Sequence, residues 1–141
     1  MASKLSRPRT HDQGPGLREG DAGGGPRLNG RVWIEAGGET FLAWGRAVLL
    51  DRIRETGSLS AAARSMGMGY RHAWDLVQQM NRLAPRALVE KAPGGRGGGG
   101  SKLTPDGEAA VARFWALAEA FRSWLAARDP EPRPTRKGRR P

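Results

Sequence analysis

Side chains that could recognise another molecule by hydrogen bonding concentrate in one short part of the chain. Phenol, guanidinium, imidazole and amide groups occur there at Tyr70, Arg71, His72, Gln78 and Gln79. Such groups carry donors and acceptors that can pair with the exposed edges of nucleic-acid bases. The chemistry that this set of residues favours is therefore the recognition of DNA, without covalent chemistry on it.

A catalytic site is a weaker interpretation. Asp51 and Glu55 lie four residues apart, a spacing that places two carboxylates on one face of a helix. Arg52 and Arg54 alternate with them, which favours a solvated, ion-paired face over an acid–base pair. The chain has no cysteine and only two histidines, which argues against thiolate zinc sites and histidine metal clusters. We therefore expect no enzyme, no cofactor and no metal.

The elements that must position the polar group are two short helices over residues 57–81. Leu59, Ala62 and Ala63 share one side of the first helix, and either Ser58 or Ser60 can cap its start. Gly67 supplies a turn conformation that a residue with a Cβ resists. A second amphipathic helix follows, with an apolar stripe at residues 73, 77 and 80. This order is typical of a helix-turn-helix, although an ordinary helical hairpin in a core has the same pattern.

Composition limits the foldable part of the 141 residues. Glycine (21) and proline (10) concentrate near both ends and in residues 93–100. We expect one domain over residues 31–127, with disordered basic tails at 1–30 and 128–141. The net charge of +10 suits a polyanionic partner such as double-stranded DNA. No apolar run reaches the ~20 residues of a membrane span and no signal peptide is evident, so a cytoplasmic location is expected.

Elements predicted on either side complete a small β-wing. Residues 31–35 alternate as in a strand, and residues 41–56 have the apolar spacing of a helix. Two further strands, 87–92 and 101–104, enclose the glycine-rich loop. Arg96 and Lys102 would point from this wing toward a DNA backbone or minor groove. A flexible hairpin tip without DNA contacts is an equally good interpretation of the same loop.

The last predicted helix begins with strong signals and carries a wide apolar stripe. Thr104 can cap it, Pro105 fits the first helical position, and the helix is expected to run to residue 127. One small domain can hardly cover the whole stripe, which suggests a homodimer. The expected dimer contacts are Phe114, Phe121, Trp124 and Leu125. The alternative is a helix that packs entirely on its own domain.

The sequence resembles the N-terminal DNA-binding domain of LysR-type regulators and, more closely, the ModE-type molybdate regulators. The resemblance lies in GSLSAAARSMGMGYRHAWDLVQQMN at 57–81, LVEKAPGGRGGGGSKLT at 88–104, and Gly107. It implies a dimeric winged helix-turn-helix on promoter DNA, with residues 69–72 at the start of the recognition helix. Gly69 replaces the serine often found there. No β-rich molybdate-binding domain is expected, so a molybdate response would need a separate molybdate-binding partner.

The sequence therefore predicts a mainly α fold with a small β-wing: a winged helix-turn-helix plus a long C-terminal helix. The expected function is transcriptional regulation. The predicted DNA contacts are Ser60, Gly69, Tyr70, Arg71, His72, Gln78, Arg96 and Lys102. Two alternatives remain: an adaptor that binds proteins through the aromatic helix, and an oxyanion sensor in which the glycine tract forms an anion nest.

Overall fold

A computed structural model describes residues 26–93 and 99–129. This part of the chain contains two antiparallel hairpins and four helices around one apolar core. In chain order the elements are β1 (Ile34–Ala36), β2 (Glu39–Leu42), α1 (Trp44–Thr56), α2 (Leu59–Ser65), α3 (Tyr70–Leu83), β3 (Val89–Ala92), β4 (Gly100–Leu103) and α4 (Pro105–Arg128). The predicted fold class, a winged helix-turn-helix with a long C-terminal helix, is confirmed.

The first hairpin corrects the sequence prediction. Gly37 and Gly38, with φ of 58° and 79°, form the turn between β1 and β2. Both angles are left-handed, so glycine suits each position. The predicted helix from residue 41 was wrong at its start, because residues 41–42 belong to β2 and α1 begins at Trp44. An apolar run this short satisfies strand and helix patterns alike.

The predicted helix-turn-helix is formed by α2 and α3, packed on α1. Ser58 caps α2, its side chain accepting a hydrogen bond from the Ala61 amide at 3.1 Å. Gly67 adopts φ of 63° in the turn, as expected. Ala62 and Ala73 are completely buried, one on each helix. Their small side chains let the two helices approach closely, which sets the direction of α3.

The second hairpin forms the base of the predicted wing. β3 pairs antiparallel with β4 in a register that places Val89 opposite Leu103 and Glu90 opposite Lys102. β3 is shorter than predicted, since residues 87–88 lie outside it, and β4 begins and ends one residue earlier than predicted. The Ser101 amide donates to the Gly57 carbonyl at 2.9 Å, which fastens β4 to the end of α1. Arg96 lies in 94–98, outside the described residues.

The start of α4 is hydrogen-bonded to the loop that precedes β3. The Thr104 hydroxyl accepts from the Gly107 amide at 3.0 Å and donates to the Ala87 carbonyl at 2.6 Å. Gly107 is so close to the preceding loop that an added Cβ would lie 2.1 Å from the Leu88 carbonyl oxygen. The predicted cap at Thr104 is confirmed, and α4 ends at residue 128, one residue beyond the predicted end.

α4 packs on α1 through an aromatic contact near its middle. The rings of Trp44 and Trp115 meet edge to face, 4.8 Å between centroids. The Trp115 indole N–H donates to Asp51 at 2.8 Å. Asp51 also accepts from Arg54, so this carboxylate joins helices and does not pair with Glu55. Among the described residues, no helix is both long and apolar enough to cross a membrane.

Candidate nucleic-acid interface

α3 presents one polar face to solvent because its other face is held in the core. Ala73, Leu76, Val77 and Met80 are buried at helical intervals. Gly69 precedes the helix in an extended conformation and brings no side chain to cap it. The first amides of α3 therefore receive no cap from residue 69, and the positive end of the helix dipole remains available to an anion.

The first turn of α3 exposes two of the predicted contacts strongly and one partly. Tyr70 is 56% exposed, and the Arg71 side chain is 83% exposed. His72 is half-buried, which restricts its reach compared with its neighbours. Tyr70 and Arg71 are therefore better placed than His72 to meet a groove.

Arg71 is positioned by two other residues of α3. Its Nε lies 3.4 Å from the Asp75 carboxylate, one helical turn further along. Its guanidinium carbon lies 5.0 Å from the centre of the Trp74 ring, a cation–π distance. Neither Trp74 nor Asp75 was predicted as part of the site, although both fall within the string that carries the resemblance.

The remaining predicted contacts on the two helices differ in how they are engaged. Ser60 and Gln78 are both exposed, on α2 and α3. Gln79 accepts a hydrogen bond from Arg46 at 2.9 Å, so its amide joins α3 to α1. Exposed Arg64 on α2 was not predicted, although a basic residue on the first helix of a helix-turn-helix is a recognisable signal.

The wing carries charge of both signs. The Lys102 ammonium lies 3.4 Å from the Glu90 carboxylate across the β3–β4 pair. The cross-strand register explains this contact, since the two residues are direct partners. Lys102 would share its charge between Glu90 and any phosphate. Lys91, exposed on β3, is a further basic residue of the wing and was not among the predicted contacts.

Asn81 connects α3 to the wing, a role that the sequence did not predict. Its side-chain oxygen accepts from the Leu88 and Val89 amides at 2.8 and 3.1 Å. Its side-chain nitrogen donates to the Val89 carbonyl at 3.0 Å. One amide thus replaces water for three backbone groups and fixes the wing relative to α3.

A salt bridge joins α3 to the first hairpin. Arg82 donates two hydrogen bonds to Glu39, at 2.9 and 3.1 Å. These bonds and the charge of Arg82 hold the pKa of Glu39 below its ordinary value of 4.5, and nearby Arg46 acts in the same direction. The far end of α3 is thereby tied to β2.

The predicted dimer residues of α4 have different environments. Phe114 is 1% exposed inside the single chain. Its ring is covered within the chain and is therefore not accessible to a second copy. Phe121 and Leu125 are half-buried beneath Gly30, where an added Cβ would lie 2.9 Å from the Phe121 ring. Trp124 is 48% exposed, stacked on Phe121 at 6.2 Å and covered on part of its ring by Arg128.

Metal binding has no support from side-chain geometry in residues 26–93 and 99–129. No group of three or more histidine, cysteine, aspartate or glutamate side chains is arranged there to hold an ion.

The central part of the chain matches a known protein family. Residues 44–108 match the sequence model of the bacterial regulatory helix-turn-helix proteins of the lysR family. The match begins with α1 and ends in the first turn of α4. This stretch is similar to the helix-turn-helix domain of the lysR family. The lysR match thus covers the HTH helices, both wing strands and the tight Gly107 contact.

Several curated relatives are similar to the chain. Molybdenum-pterin-binding protein MopB of Rhodobacter capsulatus is 51% identical over 72 residues, covering 51% of this chain and 27% of that protein. DNA-binding transcriptional dual regulator ModE of Escherichia coli (strain K12) is 42% identical over 74 residues, 52% of this chain and 28% of ModE. Molybdenum transport protein ModE of Azotobacter vinelandii is 38% identical over 99 residues, 70% and 37% respectively. The chain thus spans well under half of each relative.

Proposed function

We propose that this chain is a DNA-binding transcriptional regulator in which α3 enters the major groove. The observation that carries the proposal is the exposed polar start of α3 within a stretch similar to the helix-turn-helix domain of the lysR family. In helix-turn-helix proteins the N-terminal residues of the second helix contact base edges. Tyr70 and Arg71 occupy that position here, and both are exposed.

The surrounding groups would supply affinity without reading sequence. Ser60 and Gly69 lie at the starts of α2 and α3, where a hydroxyl or a backbone amide can meet a phosphate. Gln78 continues the polar face of α3. Lys102 and Lys91 would approach the backbone from the wing, and Arg96 is proposed to do so from outside the described residues. The net charge of +10 favours this kind of contact.

We further propose that two copies of the chain pair through α4. Leu117 and Trp124 are 39% and 48% exposed and lie seven residues apart, on one side of the helix. Large apolar side chains at such spacing are typical of a helix that packs on a partner. A dimer would present two copies of α3 to a DNA site with twofold symmetry.

The names of the relatives connect some of them with molybdenum, and we propose that this chain itself binds DNA independently of molybdate. Capture of an oxyanion needs several converging N–H groups on a rigid framework, and coupling needs a second state that the ligand prefers. A molybdate response would then require a separate molybdate-binding partner.

The test of this function is selection of bound duplexes from a random pool by the full chain, followed by titration of the enriched sequence. Arg71→Ala should flatten the preference at one base position, since arginine paired with guanine gives about 1–3 kcal/mol of discrimination. Arg113→Ala is the matched control, because Arg113 is also an exposed arginine but lies on α4. Saturating molybdate should leave both titrations unchanged, with sulfate at equal ionic strength as reference.

Failure of the wild-type chain to enrich any sequence would overturn the proposed function. Equal loss of affinity for all sequences in Arg71→Ala would make Arg71 a phosphate contact only. A tenfold change in affinity with molybdate, equivalent to about 1.4 kcal/mol, would place an oxyanion site in this chain.

A further inference from the structure

We infer that Asp75 and Trp74 are positioning residues that aim the guanidinium of Arg71 at a guanine in the major groove. This inference rests on the proposed function and deepens it, since it assigns base selectivity to three side chains acting together. It concerns Asp75 in particular, an acidic residue on the face of α3 that would approach a polyanion.

The three residues lie on one side of α3. Trp74 and Asp75 follow Arg71 by three and four positions, the spacing at which side chains on a helix meet. The Arg71 Nε to Asp75 Oδ1 distance is 3.4 Å, and the guanidinium lies over the Trp74 ring at 5.0 Å. The carboxylate contacts one edge of the guanidinium and the indole covers one of its faces.

This arrangement leaves the two terminal nitrogens of the Arg71 guanidinium available to a base. A guanidinium has five N–H donors in a planar fork, one on Nε and four on the two terminal nitrogens. Asp75 engages Nε, so the terminal nitrogens remain to donate in parallel. Two parallel donors match O6 and N7 of guanine, the acceptor pair that this base presents in the major groove. The Arg71 side chain is 83% exposed, so the fork is accessible.

The negative charge of Asp75 would have a cost in affinity for DNA. A carboxylate on the DNA-facing side of α3 repels phosphates and lowers affinity for every sequence. The same carboxylate restricts an otherwise flexible arginine to one direction, which reduces the ordering entropy on binding. Asp75 would therefore reduce general affinity and increase discrimination, a combination that can be measured.

The experiment compares the full-length wild type with Asp75→Asn, Arg71→Ala and the double variant, each by selection from a random duplex pool. Affinity is then measured for the enriched site, for that site with its guanine replaced, and for unrelated DNA. The wild type should favour guanine at one position by roughly 5- to 150-fold. Asp75→Asn keeps the shape of the side chain, and it should reduce that preference at least about fivefold while binding unrelated DNA as tightly or more tightly.

The double variant separates positioning from a direct contact. If Asp75 acts through Arg71, Asp75→Asn should change nothing further at the guanine position once Arg71 is alanine. Trp74→Leu, which keeps an apolar side chain but removes the ring face, should weaken the same preference. Circular dichroism and thermal unfolding of each variant verify that the fold is retained.

The results distinguish failure of the proposed function from failure of the positioning role. A wild type that enriches no sequence overturns the proposed function, and this inference with it. A wild type that selects guanine while Asp75→Asn retains the full preference overturns the positioning role alone. An effect of Asp75→Asn that persists unchanged in the Arg71→Ala background would show that Asp75 contacts a base directly, which also contradicts the inference.

Discussion

At the scale of single residues, Gly107 has the most restricted environment of the glycines for which a Cβ contact is found. An added methyl group would lie 2.1 Å from the Leu88 carbonyl oxygen, well inside contact distance. That oxygen already accepts from the Thr104 amide at 2.9 Å. The Gly107 amide in turn donates to the Thr104 hydroxyl. Moving either Leu88 or Gly107 to make room for a methyl group would therefore strain a hydrogen bond to Thr104.

Gly107→Ala should destabilise the fold by about 3 kcal/mol, the upper part of the usual range for overpacking. Urea unfolding monitored by tryptophan fluorescence measures the change. Gly69→Ser is the control, because nothing lies within 4 Å of a Cβ at Gly69. Serine there should change stability by less than about 0.5 kcal/mol. Equal effects of the two substitutions would contradict the close packing.

Single residues were predictable from the sequence where their role is local. The cap at Ser58 or Ser60, the cap at Thr104 and the turn at Gly67 depend on positions within a few residues, and the structure has them at Ser58, Thr104 and Gly67. The role of Asn81 was not predicted, because its partners Leu88 and Val89 lie seven and eight residues away, at the end of a loop and the start of β3. Nothing in the local pattern distinguishes it from a solvated amide.

At the scale of elements, Asn81 decides how α3 and the wing are joined. Asn81→Ala should lower the free energy of unfolding by roughly 2–4 kcal/mol, since three backbone groups lose a partner and an unsatisfied buried group costs about 1–3 kcal/mol. Gln78→Ala, exposed on the same helix, is the control. Chemical unfolding gives the energies, and hydrogen exchange at residues 88 and 89 should quicken. A loss no larger than that of Gln78→Ala would show that water replaces the amide.

The salt bridge between α3 and the first hairpin predicts a pH dependence. Arg82 lowers the pKa of Glu39 in the folded state, so the bridge stabilises the fold above the ordinary pKa of 4.5. This contribution should be lost as the pH falls through the lowered pKa, when the carboxyl becomes protonated. Arg82→Gln should therefore be less stable than the wild type near pH 7, and the difference should vanish in acid.

Urea unfolding of both proteins between pH 7 and pH 3 tests the bridge. Arg86→Gln is the matched control, because Arg86 lies 3.9 Å from Asp106 in a looser exposed pair. A difference between wild type and Arg82→Gln that is independent of pH would assign the effect to packing of the arginine stem.

Elements were predicted well where several signals agree. The helix-turn-helix combined a cap, small residues, a glycine turn and a polar face, and the wing combined two strand patterns with a glycine tract. The first hairpin was missed in part, although the Gly37–Gly38 pair between alternating residues is a known two-residue turn signal. The apolar residues 41–44 fit either a strand or a helix, and only pairing with β1 decides between them.

At the scale of the whole molecule, the remaining question is what covers the end of α4. The burial of each apolar residue of α4 could not be predicted from its spacing, because burial depends on which other elements pack against each turn of the helix. Phe114 is covered within the chain, residue 30 reaches Phe121 and Leu125, and Trp124 stays exposed. The sequence therefore identified the face correctly as apolar but could not divide it between intramolecular and intermolecular contacts.

Trp124→Glu should weaken the proposed dimer at least ~30-fold, since loss of a central aromatic anchor costs about 2 kcal/mol or more. We choose Trp124 because Phe121→Glu would also disturb the contact with Gly30. Ser123→Glu is the matched control, with the same charge introduced about 100° around the helix, away from Leu117 and Trp124. Sedimentation velocity over a range of micromolar concentrations measures the association. A monomeric wild type, or equal effects of the two variants, would refute pairing through α4.

The three hydrogen bonds of Asn81 have a consequence for the DNA itself. They fix the separation between α3 and the base of the wing. In the proposed complex, with α3 in the major groove, a mismatch in groove width would then be absorbed largely by the DNA, at an elastic cost that depends on its base steps. We expect bound sites to share flexible pyrimidine–purine steps, or a particular minor-groove width, at base pairs that no side chain touches.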